Sequence, residues 1–130
     1  MQTPQVRQLI EAADFPATPG AYVVYGSESD EVPLYVGVAA AQTIQQRWRQ
    51  HLALRSGGSA LRRSLAVWLG LVTEKLKRPA RYYSESVEED VTRSLQTCWI
   101  QLFPAETGGE AIDLEHRLIR ELKPLLNIRH

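Results

Sequence analysis

The sequence predicts a single α+β domain in which helices flank a small β-sheet. Two short runs rich in β-branched and aromatic residues, AYVVY at 21–25 and LYVGV at 34–38, are separated by a polar segment and predict a β-hairpin. Several later segments repeat apolar residues at helical spacing. With 130 residues, 44% of them apolar, the chain can form one hydrophobic core and is too short for two. We therefore expect one domain, residues 1–130.

The remaining elements follow from apolar spacing and from start and stop signals. A stripe of Ile44, Trp48 and Leu52 is typical of an amphipathic helix. Ser86 and Glu89 have the spacing of a capping box, and Pro124 marks the end of the last helix. The predicted elements are helices at about 4–13, 42–54, 59–70, 86–96 and 110–122, a third strand at 97–103, and a connecting loop over 71–81.

Composition excludes several classes of protein. No run approaches the ~18 consecutive apolar residues of a membrane helix, so we expect no membrane partner. The N-terminus lacks the basic start and long apolar run of a signal peptide. A single cysteine, Cys98, allows neither a disulfide framework nor a cysteine-based zinc site. These features together lead us to expect a cytoplasmic protein.

The formal net charge of zero hides a strong asymmetry along the chain. Residues 43–81 carry nine basic side chains and only one acidic one, whereas both flanking parts of the chain are net acidic. A basic patch of this size is typical of a surface that binds phosphates, although it is also compatible with a solvated basic face. Nucleic acid is thus a candidate partner.

Three features are candidates for chemistry. Glu115 interrupts the apolar stripe of the last predicted helix, so its carboxylate is expected to bind a metal, form an ion pair or interact with the helix dipole. Arg47 and His51 lie one turn apart beside the apolar stripe of their helix. Tyr22 and Tyr35 lie on the two hairpin strands, where they are either core residues or site residues.

The order and spacing of these residues are more specific than any one of them. The tripeptides GAY at 20–22 and YVG at 35–37 are followed by the segment QQRWRQHL and, near the C-terminus, by EHRLIRELKPLLN. Over about residues 18–128 the chain resembles the GIY-YIG nuclease superfamily, and SALRRSLAVWLG is similar to a segment of its small stand-alone bacterial members. The resemblance implies a small three-stranded antiparallel β-sheet flanked by α-helices. It also implies a catalytic set consisting of Tyr22, Tyr35, Arg47, His51, Glu115 and Asn127.

The resemblance further implies a metal-dependent endonuclease that hydrolyses phosphodiester bonds in DNA. Glu115 would hold one divalent cation, Mg²⁺ or Mn²⁺, because Mg²⁺ prefers oxygen ligands and can be bound through one carboxylate, waters and a substrate phosphate. Tyr22 would act as general base if nearby positive charge lowers its pKa. Arg47 would stabilise the phosphorane. Tyr35 would position the phosphate or the water, and His51 would assist proton transfer.

Asn127 would attach the C-terminal segment to the site, and the basic segment would follow a nucleic-acid backbone. Such phosphate contacts position a strand without reading bases, so a protein partner would have to supply specificity. Two alternatives remain open: a catalytically lapsed domain that binds DNA structures without cutting, and an interaction module with acidic protein partners. The residues expected to contact nucleic acid are Arg49, Arg55, Arg62, Arg63, Lys75, Lys77, Arg78 and Arg81.

Overall fold

A four-stranded antiparallel sheet forms the centre of the molecule. The structure is a computed structural model and describes residues 6–127. The strand order is β1-β4-β2-β3, so the sheet has one strand more than the sequence predicted. The strands are β1 (Gln8–Leu9), β2 (Gly20–Tyr25), β3 (Tyr35–Ala39) and β4 (Trp99–Pro104).

Four helices pack around this sheet. Each begins at a serine or threonine N-cap, whose side chain accepts a hydrogen bond from the backbone N–H three residues later. At α1 the cap is a complete capping box between Thr43 and Gln46. The helices are α1 (Ile44–Leu52), α2 (Ala60–Trp68), α3 (Glu85–Gln96) and α4 (Gly108–Leu122).

The central strand β2 is buried on both faces, which explains its uninterrupted apolar sequence. Alternate residues of β2 enter two different cores because side chains of a strand alternate between faces. Tyr22 and Val24 join a core with residues of α1, α2 and α3, whereas Ala21 and Val23 pack with Leu118 of α4. The sheet therefore lies between α4 on one face and the other three helices on the opposite face.

The predicted N-terminal helix at 4–13 is wrong for the residues that the structure describes. Gln8 and Leu9 pair with β4, and a 3-10 turn follows at Ile10–Ala12. The Ile10 N–H donates to the Cys98 carbonyl at 2.9 Å, while Val6 is 81% exposed. Pairing with the free edge of β4 buries Ile10 without a helix, so the apolar spacing was misleading. Residues 4 and 5 lie outside the described part of the chain.

Smaller corrections concern helix ends. Ser84, and not Ser86, caps α3. Trp68 and Leu69, which fall within the predicted helix at 59–70, are exposed where α2 ends. The last helix begins at Gly108 because Thr107 caps it. Residue 108 is a glycine because a Cβ there would collide with the Ala40 carbonyl. None of the helices described in residues 6–127 is long and apolar enough to cross a membrane.

Candidate active site

Tyr22 is held at the centre of the candidate site by its cross-strand neighbour. It pairs with Gly37 of β3 and with Leu102 of β4. A Cβ added to Gly37 would lie 2.5 Å from both Cζ and Oη of Tyr22, closer than real contacts allow. Gly37 is therefore required for space, because the phenol ring lies directly over its backbone. The glycine of the second tripeptide thus sets the position of the tyrosine of the first.

A buried chain of hydrogen bonds extends from the Tyr22 hydroxyl. Tyr22 Oη bonds to Nε2 of His51, and Nδ1 of His51 bonds to Oγ of Ser59 at 2.6 Å. Both ring nitrogens of His51 are thus engaged, and all three side chains are fully buried. Ser59 also accepts from the Arg62 N–H as the N-cap of α2. The start of α2 therefore fixes the orientation of the imidazole on α1.

Electrostatics keep both members of the Tyr22–His51 pair neutral at neutral pH. Burial, and to a lesser degree Tyr35, raises the pKa of Tyr22 above its ordinary range, while the charge and hydrogen bonding of Arg47 oppose that rise. Burial, together with the positive charges of Arg47 and Arg62, holds the pKa of His51 well below its ordinary 6.5. The imidazole can therefore accept a proton, and the phenol can donate one.

Arg47 connects this buried pair to the surface. It lies one helical turn before His51 on α1, and its guanidinium interacts with the Tyr22 hydroxyl and donates to Gln50 Oε1 at 2.7 Å. The side chain is half-buried and lines two neighbouring surface clefts, of about 290 and 670 Å³. A positive charge thus lies between the buried tyrosine and the surface.

Glu115 lies on α4 and is 8% exposed. Its charge acts on Tyr22, and its Oε1 is 4.0 Å from Nε2 of His116. Within residues 6–127, no group of three or more His, Cys, Asp or Glu side chains could hold a metal ion. A single carboxylate such as that of Glu115 fits Mg²⁺, which is commonly bound by one or two carboxylates and otherwise by waters and substrate phosphate. It does not fit a metal ion that requires several protein ligands.

Asn127 and Tyr35 lie at the edge strand β3. The Asn127 amide makes two hydrogen bonds with the backbone of Val36, one to the N–H and one to the carbonyl, each at 2.7 Å. Asn127 therefore fastens the C-terminal segment to β3. The half-buried Tyr35 packs against the Tyr22 core, and its ring centroid is 6.5 Å from that of His51.

Arg62 is not a surface residue, so the expectation that it contacts nucleic acid is wrong. It is fully buried and forms an ion pair with Glu88 at 2.8 Å. Its guanidinium also donates to Thr92 and to the backbone carbonyls of His51 and Glu88. Because these partners occupy most of its N–H donors inside the core, Arg62 stabilises the core next to the site and does not reach a ligand. Counting charges along the sequence could not separate it from its neighbour Arg63.

The other basic residues remain available to a ligand. Arg63 is half-buried, and Nη1 of its guanidinium donates to the Ser56 and Gly57 carbonyls. Lys77 makes only an exposed pair with Glu74 at 3.8 Å. Of the residues expected to contact nucleic acid, those that are exposed are Arg49, Arg55, Lys75, Lys77, Arg78 and Arg81.

Sequence reasoning missed two residues that shape the site. Ser59 was not singled out as a site residue, although its position just before an apolar helical stripe is a usual N-cap signal. Glu88 was placed within a capping segment, yet its carboxylate accepts from Arg62, from Ser56 and from the Tyr83 N–H. No sequence pattern distinguishes it from the adjacent, exposed Glu89.

Comparisons with known proteins identify the family of the chain. A family profile for the GIY-YIG catalytic domain matches residues 6–130. The solved structures that resemble the chain include the GIY-YIG N-terminal endonuclease domain of UvrC from Thermotoga maritima. A point mutant bound to the catalytic divalent cation is 20% identical with a TM-score of 0.49, and the magnesium-bound domain is 22% identical with a TM-score of 0.46; each match covers 88% of both chains. No curated protein matches. The chain belongs to the GIY-YIG catalytic domain family.

Proposed function

We propose that this GIY-YIG domain is a metal-dependent endonuclease that hydrolyses phosphodiester bonds in DNA. The proposal rests on one observation: two side chains, those of His51 and Arg47, interact with the hydroxyl oxygen of Tyr22. The Tyr22 hydroxyl, held over Gly37, bonds to His51 and interacts with Arg47. A phenol with a neutral imidazole on one side and a guanidinium on the other is suited to move a proton next to an anion.

Tyr22 and His51 together act as the general base. A free phenolate is disfavoured because burial raises the pKa of Tyr22. As Tyr22 Oη takes a proton from the attacking water, it passes its own proton to His51 Nε2. His51 can receive that proton because its lowered pKa leaves it unprotonated at neutral pH, and its Nε2 already bonds to Tyr22 Oη while Nδ1–H donates to Ser59. The pair thus replaces the phenolate that the sequence led us to expect.

Arg47 and Tyr35 act on the phosphate. The planar fork of the Arg47 guanidinium matches two oxygens of a pentavalent phosphate. Its side chain lines both clefts, so a phosphate in either would be within its reach. Tyr35, beside the same pair on β3, positions the phosphate or the water.

Glu115 holds the divalent cation, Mg²⁺ or Mn²⁺, as one ion. When bound, the cation supplies charge neutralisation at the leaving 3′ oxygen. Glu115 contributes one fixed carboxylate on α4, on the helix that packs on β2 and β3, and Asn127 keeps the chain after that helix on β3. The single buried thiol, Cys98, is consistent with activity in the cytoplasm, where a protein partner would supply sequence or structure specificity.

The proposal is tested by removing a single oxygen. Tyr22→Phe keeps the ring over Gly37 but removes the proton relay, so we expect the cleavage rate of labelled DNA in Mg²⁺ to fall by about 10²-fold or more. Tyr25→Phe is the matched control, because Tyr25 is also buried on β2 but faces the α4 side and stacks with Arg7. Cleavage by Tyr22→Phe within tenfold of the wild type would exclude this role. Binding without cutting by the wild type would favour the lapsed alternative.

A further inference from the structure

One of the two clefts beside Arg47 has a lining unlike the rest of the basic surface. It encloses about 670 Å³ and contains the amides of Gln42 and Gln50. Its lining also includes Leu54 and Tyr82, which are 52% and 57% exposed. We call it the stacking cleft. Such a mixture of an exposed aromatic, an aliphatic side chain and amides is typical of a site for a flat, partly polar group.

The second cleft is suited to phosphate. It encloses about 290 Å³ and is lined by three arginines, Arg47, Arg63 and Arg78, with the backbone of Gly57 and Gly58. We call it the arginine cleft. Among the residues that the structure describes, those lining the two clefts include no acidic side chain. Both clefts contain Arg47 and Gly58, so they are continuous at the proposed catalytic arginine.

The charges of the surrounding residues also indicate how a bound ligand would be oriented in these clefts. Arg55 lies in the stacking cleft with its guanidinium 5.9 Å from the centre of the Tyr82 ring. A smaller cleft that shares Leu54 and Tyr82 contains Glu85 and Glu88, of which Glu88 is buried and paired with Arg62. The exposed Glu85 repels a phosphate chain, whereas the arginine side attracts it. A ligand with both a base and phosphates would therefore place its base on Tyr82 and its phosphates toward Arg47.

We propose that the stacking cleft binds an unpaired base of the DNA strand being cut, next to the phosphate held at Arg47. This inference rests on the proposed function and names its substrate class: DNA whose nucleotide beside the scissile phosphate is single-stranded, as in a single strand or a flap. The base stacks on Tyr82 and Leu54, and the Gln42 and Gln50 amides face its polar edge.

The physical basis is the accessibility of the face of a base. In a duplex both faces of each base are covered by neighbours, and exposing one costs a few kcal/mol of unstacking and unpairing. An unpaired base avoids that cost, and stacking on an aromatic side chain contributes about 1–3 kcal/mol per base in a largely sequence-independent way. The same enzyme should therefore favour single-stranded or flapped DNA over perfect duplex.

Binding measured without cleavage tests the inference independently of the nuclease activity. Fluorescence anisotropy of labelled single-stranded and duplex DNA in EDTA should give tighter binding to the single strand. Tyr82→Ala should reduce single-strand affinity roughly 5- to 150-fold, the range expected for one lost stacking contact. Tyr82→Phe should keep the affinity. Trp68→Ala, which removes a similarly exposed aromatic outside both clefts, should leave it unchanged.

A fluorescent base gives a second, more local readout. With 2-aminopurine placed at successive positions of a single strand, one position should be quenched by wild-type protein and restored by Tyr82→Ala. The inference is overturned if no position is quenched, or if Tyr82→Ala and Trp68→Ala bind single strands equally. These outcomes are separate from the proposed function. A protein that cuts duplex and flap equally would keep the nuclease and lose this inference, whereas Tyr82-dependent stacking without any cutting would do the reverse.

Discussion

The adjacent residues Arg62 and Arg63 should respond to mutation in opposite ways. Arg62 is fully buried and makes four hydrogen bonds at 2.7–2.9 Å, one of which is its ion pair with Glu88. Arg62→Ala would leave the Glu88 carboxylate in the core without its cation. Breaking a buried pair from one side typically costs about 3–5 kcal/mol.

The structure places the expected cost near the lower end of that range. Glu88 would still accept three hydrogen bonds from Ser56 and the Tyr83 N–H, so its charge would not be bare. We expect Arg62→Ala to lower the free energy of unfolding by about 3 kcal/mol, which corresponds to roughly 10 °C in Tm for a domain of this size. Arg63→Ala, which loses only hydrogen bonds to the Ser56 and Gly57 carbonyls, should cost about 1 kcal/mol or less.

Urea denaturation and DNA binding over a range of salt concentrations separate the two roles. Arg63→Ala should weaken DNA binding and reduce the salt dependence of log K for single strands by about 0.7, the value for one lost phosphate contact. Arg62→Ala, under conditions where it is folded, should keep the wild-type salt dependence. The reasoning is refuted if Arg62→Ala is as stable as Arg63→Ala, or if it reduces the salt dependence by the same amount.

Three further predictions concern the site itself. Gly37→Ala should force the Tyr22 ring to move, costing about 1–3 kcal/mol in urea denaturation and reducing cleavage; unchanged stability would mean that the ring is not confined there. The lowered pKa of His51 means that its contribution to stability is complete above about pH 6.5 and is lost as pH falls through its folded pKa, so His51→Gln should flatten the acid side of a stability profile. Asn127→Ala should lose the two Val36 hydrogen bonds, increasing amide hydrogen exchange at Val36 while the α2 core stays protected.

Much of the fold could be predicted because local signals and burial agree. The hairpin strands contain β-branched and aromatic residues, and α1 begins where its apolar stripe begins, so pattern and structure coincide. In the N-terminal segment the apolar spacing predicts the wrong element. Ile10 is buried by either a helix or a strand edge, and only the free edge of β4, formed 90 residues later, decides between them.

The candidate site could likewise be predicted only in part from the sequence. The sequence indicated Tyr22, Arg47 and His51 by their order, and the structure brings these three together. The sequence could not reveal that Arg62 is buried, because its partner Glu88 lies on a different helix. The role of Ser59 likewise depends on the packing of α2 against α1. Pairings between distant parts of a chain leave no periodic trace in the sequence.

Glu115 offers the most direct test of the central claim, because the proposed chemistry needs both its carboxylate and a divalent cation. The measurement is cleavage of labelled single-stranded, duplex, flapped and branched DNA with Mg²⁺, Mn²⁺ or EDTA. Glu115→Gln is compared with Glu121→Gln, an exposed carboxylate on the same helix. The account predicts metal-dependent products from wild type and Glu121→Gln, and none from a folded Glu115→Gln. Cleavage that survives EDTA, or equal rates for the two variants, would contradict it.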